Sequence, residues 1–145
     1  MNPALEKSLA KLTDVAGRLS RTSDALNQEI YELEKTLVGL NLGVTVWLDK
    51  VIHILPDTPS TYASQIGFTR IKDTWGIWLR RGAFVKDPEG WKPLPNVDWT
   101  FARLVNGTRQ ERAASVNEFP NLVELLTTTA EKQLASLEET AKGAR

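Results

Sequence analysis

The chain has 145 residues and a mass of 16.2 kDa, the size of one ordinary domain. Its 18 Lys plus Arg balance 18 Asp plus Glu, which argues against a wholesale electrostatic binder of nucleic acid or anionic membrane. With 41% hydrophobic residues, five Trp and no Cys, it can fill a core, but it has no disulfide, thiol nucleophile or thiolate metal site.

The overall balance hides a division along the chain. Residues 41–110 hold nine Lys or Arg against six acids, so this middle is +3 and the two flanks together are −3. All five Trp lie there too. The flanks are rich in Ala, Leu, Glu, Lys and Gln, which favour helix, whereas the middle holds the β-branched and aromatic residues that suit strands. The reading is helix, then sheet, then helix, within a single domain spanning 1–145.

The first helix is predicted over 3–40. Asn2 suits the N-cap and Pro3 the first helical position. Leu5, Leu12, Leu19, Leu26, Leu33 and Leu40 recur at every seventh residue, and Leu9, Ala16, Ser23, Ile30 and Leu37 follow four after each of the first five. These are a and d positions sustained over five heptads. Such a helix is about 55 Å long at ~1.5 Å per residue. A compact domain of this size has a radius of gyration of roughly 15 Å, so part of the stripe needs a partner. Two uses compete: packing on the C-terminal helix of the same chain, or association with a second copy through Leu5, Leu12, Leu19, Leu26, Ile30, Leu33 and Leu37. Ala16, Gly17 and Ser23 weaken the repeat and could mark a break. Few opposite charges flank it at the e and g positions, which favours antiparallel packing over a parallel zipper.

The helix should end between Gly39 and Gly43. An antiparallel meander of three to five strands is then predicted over 43–95. Val44 to Ile54 reads as a strand, with a hairpin turning at Asp49 and Lys50 as the alternative. Pro56 to Ser60 reads as a loop. Gln65 to Lys72 and Trp75 to Arg81 read as strands around a turn at Asp73 to Gly76, with Gly76 in the left-handed position. Asp87 to Gly90 matches a type I turn. In the C-terminal part, 108–142, Thr108 and Glu111 form a capping box for a short helix reaching about Asn117. Pro120 then opens a long helix with Leu122, Val123, Leu126, Ala130, Leu134 and Leu137 on its apolar positions. Segregated helices and strands make the fold class α+β.

Nothing in the sequence points to catalysis. His53 is the single histidine, and no nucleophile elbow, Gly-rich dinucleotide turn, Walker A loop or HExxH is present. Without Cys and with one His, a metal site would rest on carboxylates alone, and Glu32, Glu34, Glu138 and Glu139 read as solvated helix faces. No cofactor is expected. One candidate binding face is Arg70, Lys72, Trp78 and Arg80, where basic groups interleave with aromatics as in single-strand nucleic-acid binders. A wet sheet face on which Arg stacks on Trp without a ligand explains the same residues. Trp47, Trp75, Trp91 and Trp99, with His53 nearby, offer a third reading, an aromatic-lined pocket for a small ligand.

The leading expectation is a small non-enzymatic interaction protein that forms a homodimer through its long helices and presents its sheet to another macromolecule. The alternatives are a nucleic-acid-binding module and a small-ligand binder or enzyme built around the Trp cluster and His53. The start, MNPALEKSLAKL, contains no apolar run suited to a signal peptide or membrane span. With the absence of Cys, this leads to an expectation of a cytoplasmic protein without membrane contact.

Overall fold

In the computed structural model, which describes residues 1–56, 61–95 and 98–143, the three-part order holds. Helix α1 (Pro3–Gly39) starts where Asn2 Oδ1 accepts from Ala4 N at 2.8 Å, with Pro3 in the first turn. It ends at Gly39, and Asn41 and Gly43, at φ 51° and 66°, turn the chain away. Its 37 residues form one continuous helix about 55 Å long, so Ala16, Gly17 and Ser23 do not break it.

The sheet is built on one hairpin. Strand β3 (Tyr62–Ile71) pairs with β4 (Thr74–Asp87) from Tyr62 opposite Ala83 to Ile71 opposite Thr74. Along the other edge of β3 lie two short strands in succession, β1 (Val46–Trp47) and β2 (His53–Ile54). Along β4 lie β5 (Gly90–Pro93) and β6 (Thr100–Arg103), and every pairing is antiparallel. Helices α2 (Arg109–Asn117) and α3 (Phe119–Gly143) complete the α+β fold. The capping box is present, with Glu111 N donating to Thr108 Oγ1 at 3.1 Å and Thr108 N to Glu111 Oε1 at 3.0 Å.

Three local expectations are corrected. Residues 44–54 form neither an unbroken strand nor a hairpin at Asp49 and Lys50. Trp47 lies opposite Gly67 but His53 opposite Ser64, so the first strand carries extra residues and bulges away from β3. Gln65 Nε2 donates to Asp49 O at 2.8 Å, and Lys50 leaves the bulge to pair with Glu118 at 2.6 Å. The β3–β4 turn falls at Lys72 and Asp73, both with positive φ (51° and 62°), and not at Asp73 to Gly76. A two-residue turn with both central residues left-handed matches the twist of the strands it joins, and Asp tolerates that conformation. Gly76 lies within β4 for a different reason, given below. The Asp87–Gly90 turn stands where expected, with Asp87 Oδ1 accepting from Glu89 N at 2.8 Å. Of the loop at Pro56 to Ser60, all but Pro56 lies outside the described residues.

One face of the sheet is covered by helices. α1 lies over β4, α3 over β1, and α2 touches both helices and β2. Ile30 and Leu37 of α1 and Leu122 and Leu126 of α3 close over Val46, Ile66, Phe68, Ile77 and Leu79. The burial of these apolar groups drives folding. Two charged arrangements then set the geometry.

In the first, Glu34 Oε2 accepts from the backbone N of Ile77 at 2.8 Å, while its other oxygen accepts from Arg103 NH2. Glu34 is buried, so the open edge of β4 is capped by a helix side chain. A Cβ at Gly76 would stand 2.8 Å from Glu34 Oε2, which is why glycine occupies that strand position.

In the second, Arg81 donates Nε to Glu111 Oε2 at 2.8 Å and NH2 to Oε1 at 2.6 Å. Burial pushes the Glu111 carboxyl up, but the Arg81 hydrogen bonds, the Thr108 backbone, the Arg81 charge and a Ser64 hydrogen bond together hold it below its ordinary value. The Lys50 and Asn121 hydrogen bonds likewise lower Glu118 against a smaller burial effect.

Replacing Glu34 by Ala should cost about 2–3 kcal/mol in urea unfolding, since it leaves Ile77 N–H and Arg103 without their acceptor. Gly76→Ala should destabilise in the same direction, by displacing that carboxylate. Because the Glu111 and Glu118 carboxyls are depressed in the folded state, their contribution is full above the unfolded carboxylate pKa and is lost as pH falls through their lower folded values. Melting temperature should therefore fall on acidification below about pH 4. E111Q should lower stability at pH 7 and flatten that acid slope.

Candidate functional site

The leucine stripe divides into two halves. Ile30 and Leu37 are buried core residues, Leu33 packs against the core, and Leu26 is half-buried. Leu5, Leu12 and Leu19 remain 51%, 61% and 47% exposed, and Leu9 is exposed beside them. Along residues 1–22 every residue but Val15 and Gly17 is exposed. Thus the first half of α1 projects beyond the fold with its apolar stripe open. Lys7, Lys11, Asp14, Arg18 and Arg21 occupy its other faces.

Where the stripe meets the globule, Leu19, Ser23 and Leu26 of α1 and Arg109 and Ala113 of α2 line a shallow, mostly apolar groove of about 420 Å³. Arg112 of α2 fixes that junction, donating to Asn27 Oδ1 at 2.6 Å and to Ser23 O at 3.4 Å. At the far end of α1, Leu37, Leu40 and Leu42 face Val123, Leu126 and Leu134 of α3 across a second groove of about 280 Å³. Beyond it, residues 131–143 of α3 are all exposed, Leu134 and Leu137 among them.

The four residues of the basic and aromatic face are not brought together. Gln65 pairs with Arg80 and Gly67 with Trp78, which puts Arg80 and Trp78 on the sheet face away from the helices. Arg70 pairs with Trp75 on the opposite, helix-side face, at the end of the hairpin, where it forms an ion pair with Asp73 at 2.6 Å. Lys72 sits in the turn. The proposed aromatic pocket is likewise divided: Trp75 stacks on Phe68 at 5.5 Å on the helix side, and Trp91 lies on β5 beside Lys86. His53 is half-buried on β2, its backbone carbonyl accepting from Ser64 Oγ at 3.4 Å.

Trp47 and Trp99 do meet, around Arg80. The Arg80 guanidinium carbon lies 4.6 Å from the Trp47 ring centroid and 4.4 Å from that of Trp99. Trp47 rests on Gly67, where a Cβ would come within 2.5 Å of the indole, so glycine lets the ring approach the sheet. Phe84 supports Trp99 at 5.4 Å, and Phe101, 46% exposed, stands 6.1 Å from Trp47. Arg80 Nε donates to Gln65 Oε1 at 2.9 Å, and buried Gln65 is itself held by Asp49 O. Burial between the rings lowers the Arg80 pKa from its ordinary value, while the charge of Asp49 raises it. At the other end of this face, the buried Trp78 Nε1 and Arg103 Nε have no hydrogen-bond partner among the described residues.

The sequence groups Trp47 with Trp99 but puts Arg80 in a different set and gives Gln65 and Phe101 no site role. It reads Glu34 as part of a solvated helix face, whereas that carboxylate is buried against Ile77 N and Arg103. The alternation of Trp47 with core residues Val46 and Leu48 was the one local sign that its ring lies on the outer face. No protein-family model matches the chain, and neither a curated protein nor a solved structure does. Among the described residues, no helix is long and apolar enough to cross a membrane.

Proposed function

We propose that the protein is a non-enzymatic interaction module that pairs with a second copy through the projecting half of α1 and presents the outer face of its sheet. The observation that carries this reading is the open stripe of Leu5, Leu9, Leu12 and Leu19 on a helix segment that its own fold leaves bare. In proteins most helical stability comes from packing an amphipathic face, and covering this stripe supplies that packing. Antiparallel pairing suits the segment, because few opposite charges flank its stripe at the e and g positions that would pair in a parallel zipper. The lack of Cys suits a reducing compartment, and we place the module in the cytoplasm.

Half-exposed leucines gain about 1 kcal/mol each when covered, so association through this segment alone is modest. Light scattering over a concentration series should show mass rising from 16.2 kDa toward twice that value. Replacing Leu5, Leu12 and Leu19 together by Glu should hold the mass at 16.2 kDa while leaving the melting temperature of the globule within a few degrees of the parent. A monomer at every concentration, or a dimer untouched by the triple substitution, contradicts the proposal. Leu26 and Leu33 are poorer choices for this test, since Leu33 packs against the core and Leu26 is half-buried, whereas Leu19 is exposed at the rim of the α2 groove.

A further inference from the structure

We propose that Arg80, clamped between Trp47 and Trp99, is a receptor for an oxoanion borne on an aromatic ring, an aryl phosphate or an aryl carboxylate. The guanidinium carbon lies 4.6 Å from the Trp47 ring and 4.4 Å from the Trp99 ring, and Nε is committed to Gln65. The terminal nitrogens NH1 and NH2 have no hydrogen-bond acceptor among the described residues, and neither is buried without a partner, so they meet solvent. A guanidinium presents paired donors in a rigid fork that matches a carboxylate or a phosphate. Here the fork is held still before any ligand arrives, so little side-chain freedom is lost on binding.

The surroundings select the rest of the ligand. Trp47 and Phe101 form an accessible aromatic shelf beside the fork, suited to a ring stacked flat or edge-on. Arg70 and Lys72 lie elsewhere, Lys86 sits beside Trp91 at the far end of β4, and Arg103 is engaged by Glu34, so the described residues form no continuous basic track for a polyanion around Arg80. Exposed Asp49, whose charge reaches Arg80, competes with the incoming anion and sets a modest affinity. The site lies on a single chain, on the opposite side of the sheet from α1, and does not depend on self-association.

The test is a titration of the full chain at constant ionic strength, followed by Trp fluorescence, with phenyl phosphate and benzoate as probes and inorganic phosphate and benzyl alcohol as controls. At least one aryl anion should give a saturable change, and which one does so distinguishes the phosphate from the carboxylate. Inorganic phosphate and benzyl alcohol should each bind about tenfold more weakly than that probe, because each lacks one half of the recognition. D49N removes the competing charge and keeps the backbone carbonyl bound to Gln65, so it should tighten binding about threefold. R80K keeps a cation but loses the fork and should weaken binding about tenfold. The proposal is overturned if neither aryl anion saturates, if either control binds as tightly as the probe, or if affinity is unchanged in both D49N and R80K. The monomeric triple-Glu variant of α1 should bind the probe as the parent does, which separates this site from the association proposal.

Discussion

Glu34 decides how the long helix meets the sheet. Strand β6 begins its pairing with β4 at Trp78, one residue beyond Ile77, so the Ile77 N–H stands at an uncovered edge. A buried carboxylate supplies the missing acceptor and takes Arg103 as its counter-charge. Because the bond is to backbone, it holds α1 at one height along β4. Ile30 and Leu37, one turn to either side, are thereby seated in the core, and Gly76 clears the space that the carboxylate needs.

With α1 pinned at that point, its other end is carried away from the globule. The core reaches Ile30, α2 reaches Asn27 and Ser23 through Arg112 and borders Leu19 across the groove, and every residue before Val15 is exposed. One heptad repeat therefore serves two environments, an internal one from Leu26 to Leu37 and an open one through Leu19. The polar Ser23, which looks like a fault in a coiled-coil stripe, and Asn27 on the next turn are the positions where Arg112 docks. They mark the boundary between the two halves. The outer face of the sheet is built separately, by Trp47 and Trp99 closing on Arg80, with Gly67 and Gln65 making room and fixing the guanidinium.

What could be read in the sequence was what rests on neighbours in the chain. Asn2 with Pro3, the Thr108–Glu111 capping box, the glycines after α1 and the turn at Asp87 to Gly90 all act within a few residues, and each stands as read. Gly76 misled because the demand for it comes from Glu34, far away in the chain, and Gly in a strand looks like a turn when that partner is unseen. The turn at Lys72 and Asp73 carried no glycine to announce it. Strand parity could not place Arg70 beside or behind Trp78, since a shift of one residue in register exchanges the faces. The Arg80 clamp gathers four separate segments and left only the alternation around Trp47 as a local trace. Where α1 passes from core to open stripe was equally hidden, because leucines at one spacing do not say which of them the same chain will cover.

The most direct test of a helix shared between two environments is amide hydrogen exchange along α1, measured at low and high protein concentration. In dilute solution, residues 5–19 should exchange fast while 30–38 are protected to nearly the global stability. Raising the concentration should slow exchange in 5–19 and leave 30–38 unchanged. Uniform protection along the whole helix at every concentration, or a first half that stays fast however concentrated the protein, contradicts the account.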